Sequence, residues 1–382
     1  MKRALLGGGA FLLLLALGLL LAVKLRYGGG GDFPNRVPGP PRLPESALEL
    51  VAELPTPPGN IAVSSGGRVF VTLHPEARPA IKVAELVDGK AVPFPNEAFQ
   101  TGAGEPRHFR DVLSLRIDGY GRLWTLDNGG HGRHPGRLLA FDPRRNEVLV
   151  DYEFPRAIAG LGSHLNDFQV SLDGRTVFIA DASLFARTPA LIVFDIEKRE
   201  ARRVLEGQPS VTPEFYTPVV DGRRMEAYGL VAVRPGVDSI ALDANGQWLY
   251  FAPVTSTQLY RIRSGDLVDS SLSAADLAAR VETYAPKTMT DGLTMDGEGN
   301  IYLSDPEHSA ILLLKPDRTL ETLLQTPRLR WPDGFSFGPD GWLYVSCSSL
   351  HQVIGLPQSS VAAHAPYPVF RFKAPVAGIP GH

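Results

Sequence analysis

The sequence predicts an all-β protein, a six-bladed β-propeller, on three observations. First, one hairpin pattern recurs six times. Its clearest copy is Trp331 to Ser346, WPDGFSFGPDGWLYVS. Two runs of alternating apolar residues flank a turn rich in Gly, Pro and Asp, which is a β-hairpin signature. The other copies are Gly59–Thr72, Arg110–Asp127, Leu165–Asp181, Val237–Ala252 and Thr290–Asp305. Their spacing suits one four-stranded blade, or somewhat more, per copy. Second, Gly (39) and Pro (33) are plentiful, as a fold with many tight turns requires. Third, the last copy is followed by only one further strand pattern, Pro368–Lys373, so its blade lacks a strand.

The missing strand is expected from the other end of the chain. Ser46–Leu54 alternates Leu48, Leu50, Ala52 and Leu54 and precedes the first repeat without a partner. Placed in the last blade it closes the ring and removes the open edges that invite aggregation. Ahead of it, Tyr27–Pro44 is a Gly/Pro linker. At the start, Lys2 and Arg3 precede an uncharged, Leu-rich run from Ala4 to Val23. Its length suits a bilayer span, so residues 1–26 read as a hydrophobic helix, a signal anchor or a signal peptide, and the remainder as exported. The propeller then occupies 45–382. The interval after the third copy holds an extended loop, Val211–Val233, and Asp266–Val281 is a helix candidate with Ser273 as N-cap.

The formal net charge is −3 and the pI about 6.3, with no basic stripe, so nucleic acid is not an expected partner. The expected partners are a small-molecule ligand and, through the N-terminal segment, a membrane. Cys347 is the only cysteine, which excludes an internal disulfide. There is no phosphate loop, no Cys/His metal cluster and no nucleophile-elbow serine. His131 and His134 in GGHGRHPGR form a weak metal-binding candidate, more simply read as a solvated loop.

Propeller geometry sorts the acids. The D-G turn residues Asp118, Asp173, Asp296 and Asp340 fall on one face and need only local turn bonds. Asn60, Asp111, Asp167, Asp238, Asp291 and Asp333 open the six inner strands and are expected to ring the opposite mouth of the channel, with Asn166 adjoining. Thr255 and Ser256 stand one shell out. Carboxylates that converge raise one another's pKa unless a cation compensates. Ca²⁺ or another divalent cation suits oxygen ligands, and an organic amine with Phe168, Trp331 or Trp124 beside it is the other candidate. The bland alternative is that the ring only locks the blades together.

Several segments resemble the yellow/major royal jelly protein family: RVFVTLHPE, LSLRIDGYGRLWTLDNG, DFQVSLDGRTVFIADAS, SIALDANGQWLYFAPVTSTQLYRIRSGDL and WPDGFSFGPDGWLYVSCSSLHQ. The resemblance runs from Leu50 to Lys373 and implies a six-bladed propeller, secretion and a ligand pocket at one end of the channel. Insect members of that family include biogenic-amine binders and proteins linked to dopachrome conversion. The copies TDGLTMDGEGNIYLSD and WPDGFSFGPDGWLYVSC are also similar to the gluconolactonase/senescence-marker propellers, which open lactones with a Glu/Asn/Asn/Asp set around a divalent metal. That second resemblance implies Asn166, Asp291 and Asp333 as metal ligands, with Asn60 standing where the first-blade glutamate would be. The function expected is therefore small-molecule binding at the acidic mouth. Metal-dependent lactone or ester hydrolysis and a purely structural or protein-interaction role are the alternatives, and whether the chain is an enzyme is open.

Overall fold

Each repeat folds as its turn residues dictate. In the second blade the Asp118 carboxylate accepts from the backbone N–H of Tyr120 and Arg122 (both 3.0 Å) and from the indole of Trp124 (2.7 Å). Asp296 binds the N–H groups of Glu298 and Asn300, and Asp243 those of Gln247 and Trp248, in the same way. One side chain thus closes the turn and fixes where the second strand starts. In the sixth blade Asp340 serves through its backbone instead, sitting in the left-handed region at φ 58°.

The computed structural model describes residues 2–381, with side chains from Phe11 onward. Six antiparallel four-stranded sheets form the body. Their inner strands, in order, are Pro58–Val63, Val112–Ile117, Leu165–Val170, Val237–Leu242, Leu293–Met295 and Pro332–Phe337. Each packs on the next, and the sixth packs on the first, so they line a closed channel. In the sixth sheet Glu49–Leu54 pairs antiparallel with Tyr367–Lys373, which pairs with Trp342–Cys347.

The core is divided among six seams between neighbouring blades. Phe178, Leu191, Ile240 and Phe251 fill the seam of blades three and four. Ala52, Leu54, Tyr344 and Val369 meet Ile61, Val63 and Val71 across the seam of blades six and one. Phe168 and Trp124 lie in the seam of blades two and three, not at the channel. Hydrogen bonds stitch some seams: Thr72 Oγ1 to Leu113 O (2.9 Å), Gln169 Nε2 to Ile240 O (3.0 Å), and Val63 N to Ser336 Oγ (3.0 Å). Deleting residues through Leu54 removes the buried side chains of Phe33, Leu48, Ala52 and Leu54 and bares the backbone of Tyr367–Lys373. The truncated chain is expected to lose its cooperative melting transition and to aggregate, which calorimetry and light scattering will detect.

The N-terminal helix spans Lys2–Tyr27. Lys24 pairs with Glu226 (2.7 Å). Arg187 donates to the carbonyl of Arg26 (2.8 Å), and Arg234 to those of Tyr27 and Gly28 (3.2 and 3.1 Å). Cations at a helix C-terminus satisfy carbonyls that have no partner within the helix. The apolar run read from Ala4 begins outside the residues with described side chains. Among the described residues no helix is long and apolar enough to cross a membrane. The segment after the helix is docked along the propeller: Gly31 bridges to Tyr216, Phe33 is buried, and Arg42 and Leu43 bond to Thr322 and Leu323. In place of one helix over Asp266–Val281 there are two short ones, Ser264–Val268 and Ala274–Ala279, the second capped by Ser273.

Candidate functional site

Five of the six inner strands carry a register irregularity at their first residues, between Pro58 and Ile61, Val112 and Ser114, Leu165 and Phe168, Val237 and Ser239, and Pro332 and Phe335. Such bulges re-aim side chains, and here they turn the strand openings into the channel. Counted from the residue paired with the end of the second strand, the next position is Gly59, Leu113, Asn166, Asp238 and Asp333. Asp291 stands at the matching distance before Leu293. These six residues line one cavity of about 90 Å³. Trp331, Val233, Val254, Leu350 and Ile354 supply apolar wall. Residues of the long loop (Val220, Met225) and of the linker (Phe33) join Trp331 and Leu350 in an apolar cap.

Asp238, Asp291 and Asp333 therefore converge as expected, with Asn166 beside them. Burial drives all three carboxyls up; the charges of Asp291 and Asp167 add to the rise at Asp238 and Asp333, and that of Asp167 to the rise at Asp291. Asp238 and Asp333 are held well above the usual range; Asp291 is pushed up to about 6. The Trp331 indole donates to Asp291, which opposes the rise. Lys287 is the nearby buried cation. Burial pulls it down to about 7, and its ammonium donates to the carbonyls of Val254 (3.0 Å) and Thr288 (3.1 Å).

Asn60 lines the cavity and, with Asp167, forms its floor one residue deeper. There Arg116 grips both Asp167 oxygens at 2.8 Å and donates to Asn60 Oδ1 at 2.7 Å, while Ser114 Oγ donates to Asp167 at 2.9 Å. Asp111 is two residues too early to enter the ring. Leu113 takes the lining position, and Asp111 faces an outer chamber of about 460 Å³. Thr255 and Ser256 are buried away from the cavity and hold Glu214, through its carbonyl (3.1 Å) and carboxylate (3.3 Å) respectively. Asp127 and Asp181, at the ends of second strands, accept backbone N–H bonds from the residues that precede the inner strands (2.6 Å from Arg110, 2.7 Å from His164) and so fix the strand openings.

A cluster invisible in the linear order stands between chamber and cavity. His74, Glu76, His131 and His164 line both spaces. The pairing of His131 is with His164, not His134: their rings stack at 4.5 Å and their Nδ1 atoms lie 2.9 Å apart. Glu76 Oε1 is 3.5 Å from His131 Nε2. Burial lowers His164 to about 3 and His74 to about 4, and the His131 bond lowers Glu76 to about 2. His131 is held at φ 56°, an uncommon conformation for a side-chain-bearing residue, within a glycine-rich turn. Gly132 is required there, because a Cβ would fall 1.9 Å from the Gly160 carbonyl oxygen. The run GGHG is the one sequence signal of this cluster.

The donors do not complete the lactonase-type metal set. Gly59 and Leu113 line the first two blades, and neither can ligate through its side chain. Among the described residues no three or more His, Cys, Asp or Glu side chains are disposed to hold a metal ion.

Comparison with known proteins places this geometry. Among solved structures, a gluconolactonase from Xanthomonas campestris superposes with a TM-score of 0.54 at 13% identity, covering 90% of this chain and 98% of that one. Regucalcin from Agrobacterium tumefaciens, described as a calcium-binding protein, gives 0.53 at 15% identity over 86% and 96%. At such identities the likeness is one of fold. Major royal jelly protein 1 of Apis mellifera is 27% identical over 221 residues, 54% of this chain and 49% of that protein. Major royal jelly protein 7 is 22% identical over 55% and 48%. The chain spans about half the length of the curated relatives it matches. Residues 111–327 match the model of the major royal jelly protein family, more than half of the sequence, and the chain belongs to that family.

Proposed function

We propose that the protein is an exported propeller that binds a small organic ammonium ion with an apolar body in the carboxyl-ringed cavity. The observation that carries this reading is a ring of three carboxyls with Lys287 as its one nearby buried cation, whose ammonium donates to backbone carbonyls. Asp238 and Asp291 are buried and Asp333 half-buried around one cavity, while the nearest guanidinium, Arg116, is committed to Asp167 on the floor. A ligand cation supplies the missing charge, and the Trp331 and aliphatic walls supply contact for its body. Ca²⁺ takes six to eight oxygens at about 2.3–2.6 Å, and the donor set with Gly59 and Leu113 favours a larger organic cation over a bare metal ion. The apolar N-terminal run supports export.

The sign of the pH dependence follows from Asp291. The cation binds the ionised carboxylate, so affinity rises as pH rises through about 6, and binding below that pH expels a proton. Calorimetry with 2-phenylethylamine, its neutral analogue 2-phenylethanol, and CaCl₂ tests this. The amine is expected to bind with proton release and the alcohol not to bind. Equal binding of amine and alcohol would remove the electrostatic basis of the reading. Tight Ca²⁺ binding that the amine cannot displace would favour the metal-dependent alternative, and silence from all three a structural role.

A further inference from the structure

We propose that His164, backed by His131 and Glu76, is a general base that activates water for hydrolysis of a small ester whose alcohol portion carries the ammonium group. The inference takes its substrate class from the amine-binding reading and its chemistry from different residues.

Position is the first argument. The histidines line both the outer chamber, where Asp111, Asn128 and Arg133 supply polar wall, and the inner cavity with its carboxyls. A base at that neck has solvent on one side and bound ligand on the other. Connectivity is the second. Glu76, ionised, takes the Nε2–H of His131, so His131 Nδ1 accepts from His164 Nδ1–H across 2.9 Å. These tautomers are assigned from the partners. His164 is then left with an Nε2 lone pair that has no protein partner among the described residues. The third argument is that the opposing groups are shifted in opposite senses. Burial lowers His164 and raises the carboxyls of Asp238 and Asp333, so one cavity sets an imidazole on one wall against carboxyls on the other.

The step balances without a co-reactant other than water. Water gives a proton to His164 Nε2 as its oxygen bonds to the acyl carbon, and His164 Nδ1–H passes to His131 Nδ1. The positive charge then rests on His131, beside Glu76. Asp291 faces the ammonium group, and a protonated carboxyl of Asp238 or Asp333 would donate to the developing oxyanion. As the acyl carbon–oxygen bond breaks, the relay runs backward and His164 protonates the leaving alcohol. Carboxylic acid and amino alcohol are released.

Acetylthiocholine is the probe, with thiol release followed in the presence of EDTA; Cys347 is buried and does not contribute. Saturable hydrolysis by the wild type is expected. His164→Ala and His164→Gln should lose kcat by about 100-fold or more, with the melting temperature retained. His131 and Glu76 position the base, so Glu76→Gln should lower kcat while KM stays constant. No saturable hydrolysis by the wild type, or activity unchanged in both His164 variants, would overturn the proposal. The two readings separate cleanly. If 2-phenylethylamine binds and no ester is cleaved, the relay fails and binding stands. If the neutral isostere 3,3-dimethylbutyl thioacetate is cleaved as well as acetylthiocholine, with dependence on His164, the relay stands and the amine reading fails.

Discussion

Asp291→Asn is expected to raise the melting temperature of the ligand-free protein at pH 7 and, in the same molecule, to weaken amine binding by about 30-fold or more. Both effects come from one cause. In the folded state the carboxyl is pushed up from 3.8 to about 6, chiefly by burial. A folded-state pKa above the unfolded value contributes stability that is full below about pH 4 and is lost as pH rises through about 6. At pH 7 the ionised group therefore opposes folding, by on the order of 1–3 kcal/mol. Asparagine removes that charge and can still accept the Trp331 indole N–H. The gain should vanish below pH 4, where aspartate is protonated in both states, and scans at pH 4 and 7 measure it directly. The same charge is what an ammonium ligand needs. Losing a buried charge-assisted contact costs about 2–5 kcal/mol of affinity, hence the expected weakening. A variant that neither gains stability nor loses affinity would show that the ring is already compensated by a protein cation.

Arg116→Met is expected to have the opposite consequence, a loss of about 3–5 kcal/mol in stability. Arg116 is 4% exposed and Asp167 8%, and two bonds of 2.8 Å join them. Removing the guanidinium strands a buried carboxylate, deprives Asn60 of its donor, and adds a fourth unbalanced acid beneath the ring. Adding Asp167→Asn should recover most of the loss, since both members of the pair are then uncharged. Thermal unfolding of the two single variants and the double variant measures the coupling. Full additivity would show that the pair is not a unit.

The repeat, the six blades and the turn acids were legible in the sequence because each depends on local pattern. Asp118 closes its own turn whatever its neighbours do. The edge strand near Leu54 could be anticipated because an unpaired strand needs a partner. The site was legible only in part. Asp238, Asp291 and Asp333 could be placed by counting along the hairpin, but the irregular strand openings shift the count by one or two residues elsewhere. That shift sends Leu113 rather than Asp111 into the cavity and drops Asp167 to the floor, where Arg116 meets it. The His74–Glu76–His131–His164 cluster spans three blades, so no spacing in the chain announces it. Aromatic residues were ambiguous for the same reason. Trp331 reaches the cavity, while Phe168 and Trp124 turn into a seam.

The pairing of Glu49–Leu54 with Tyr367–Lys373 has a kinetic consequence. The strand synthesised first finds its partner only after nearly the whole chain has been made. Until then blades one to five present a horseshoe with two bare ends, and the final contact is among the most distant in sequence that the chain can form. Such long-range closure folds slowly, because its loop entropy is lost before the contact rewards it. The same latch works in reverse once closed. Opening the ring must begin by peeling an edge strand that is anchored through Ala52 and Leu54 in the seam of two blades. A slow approach to the native ring and a slow departure from it are two aspects of one topological choice.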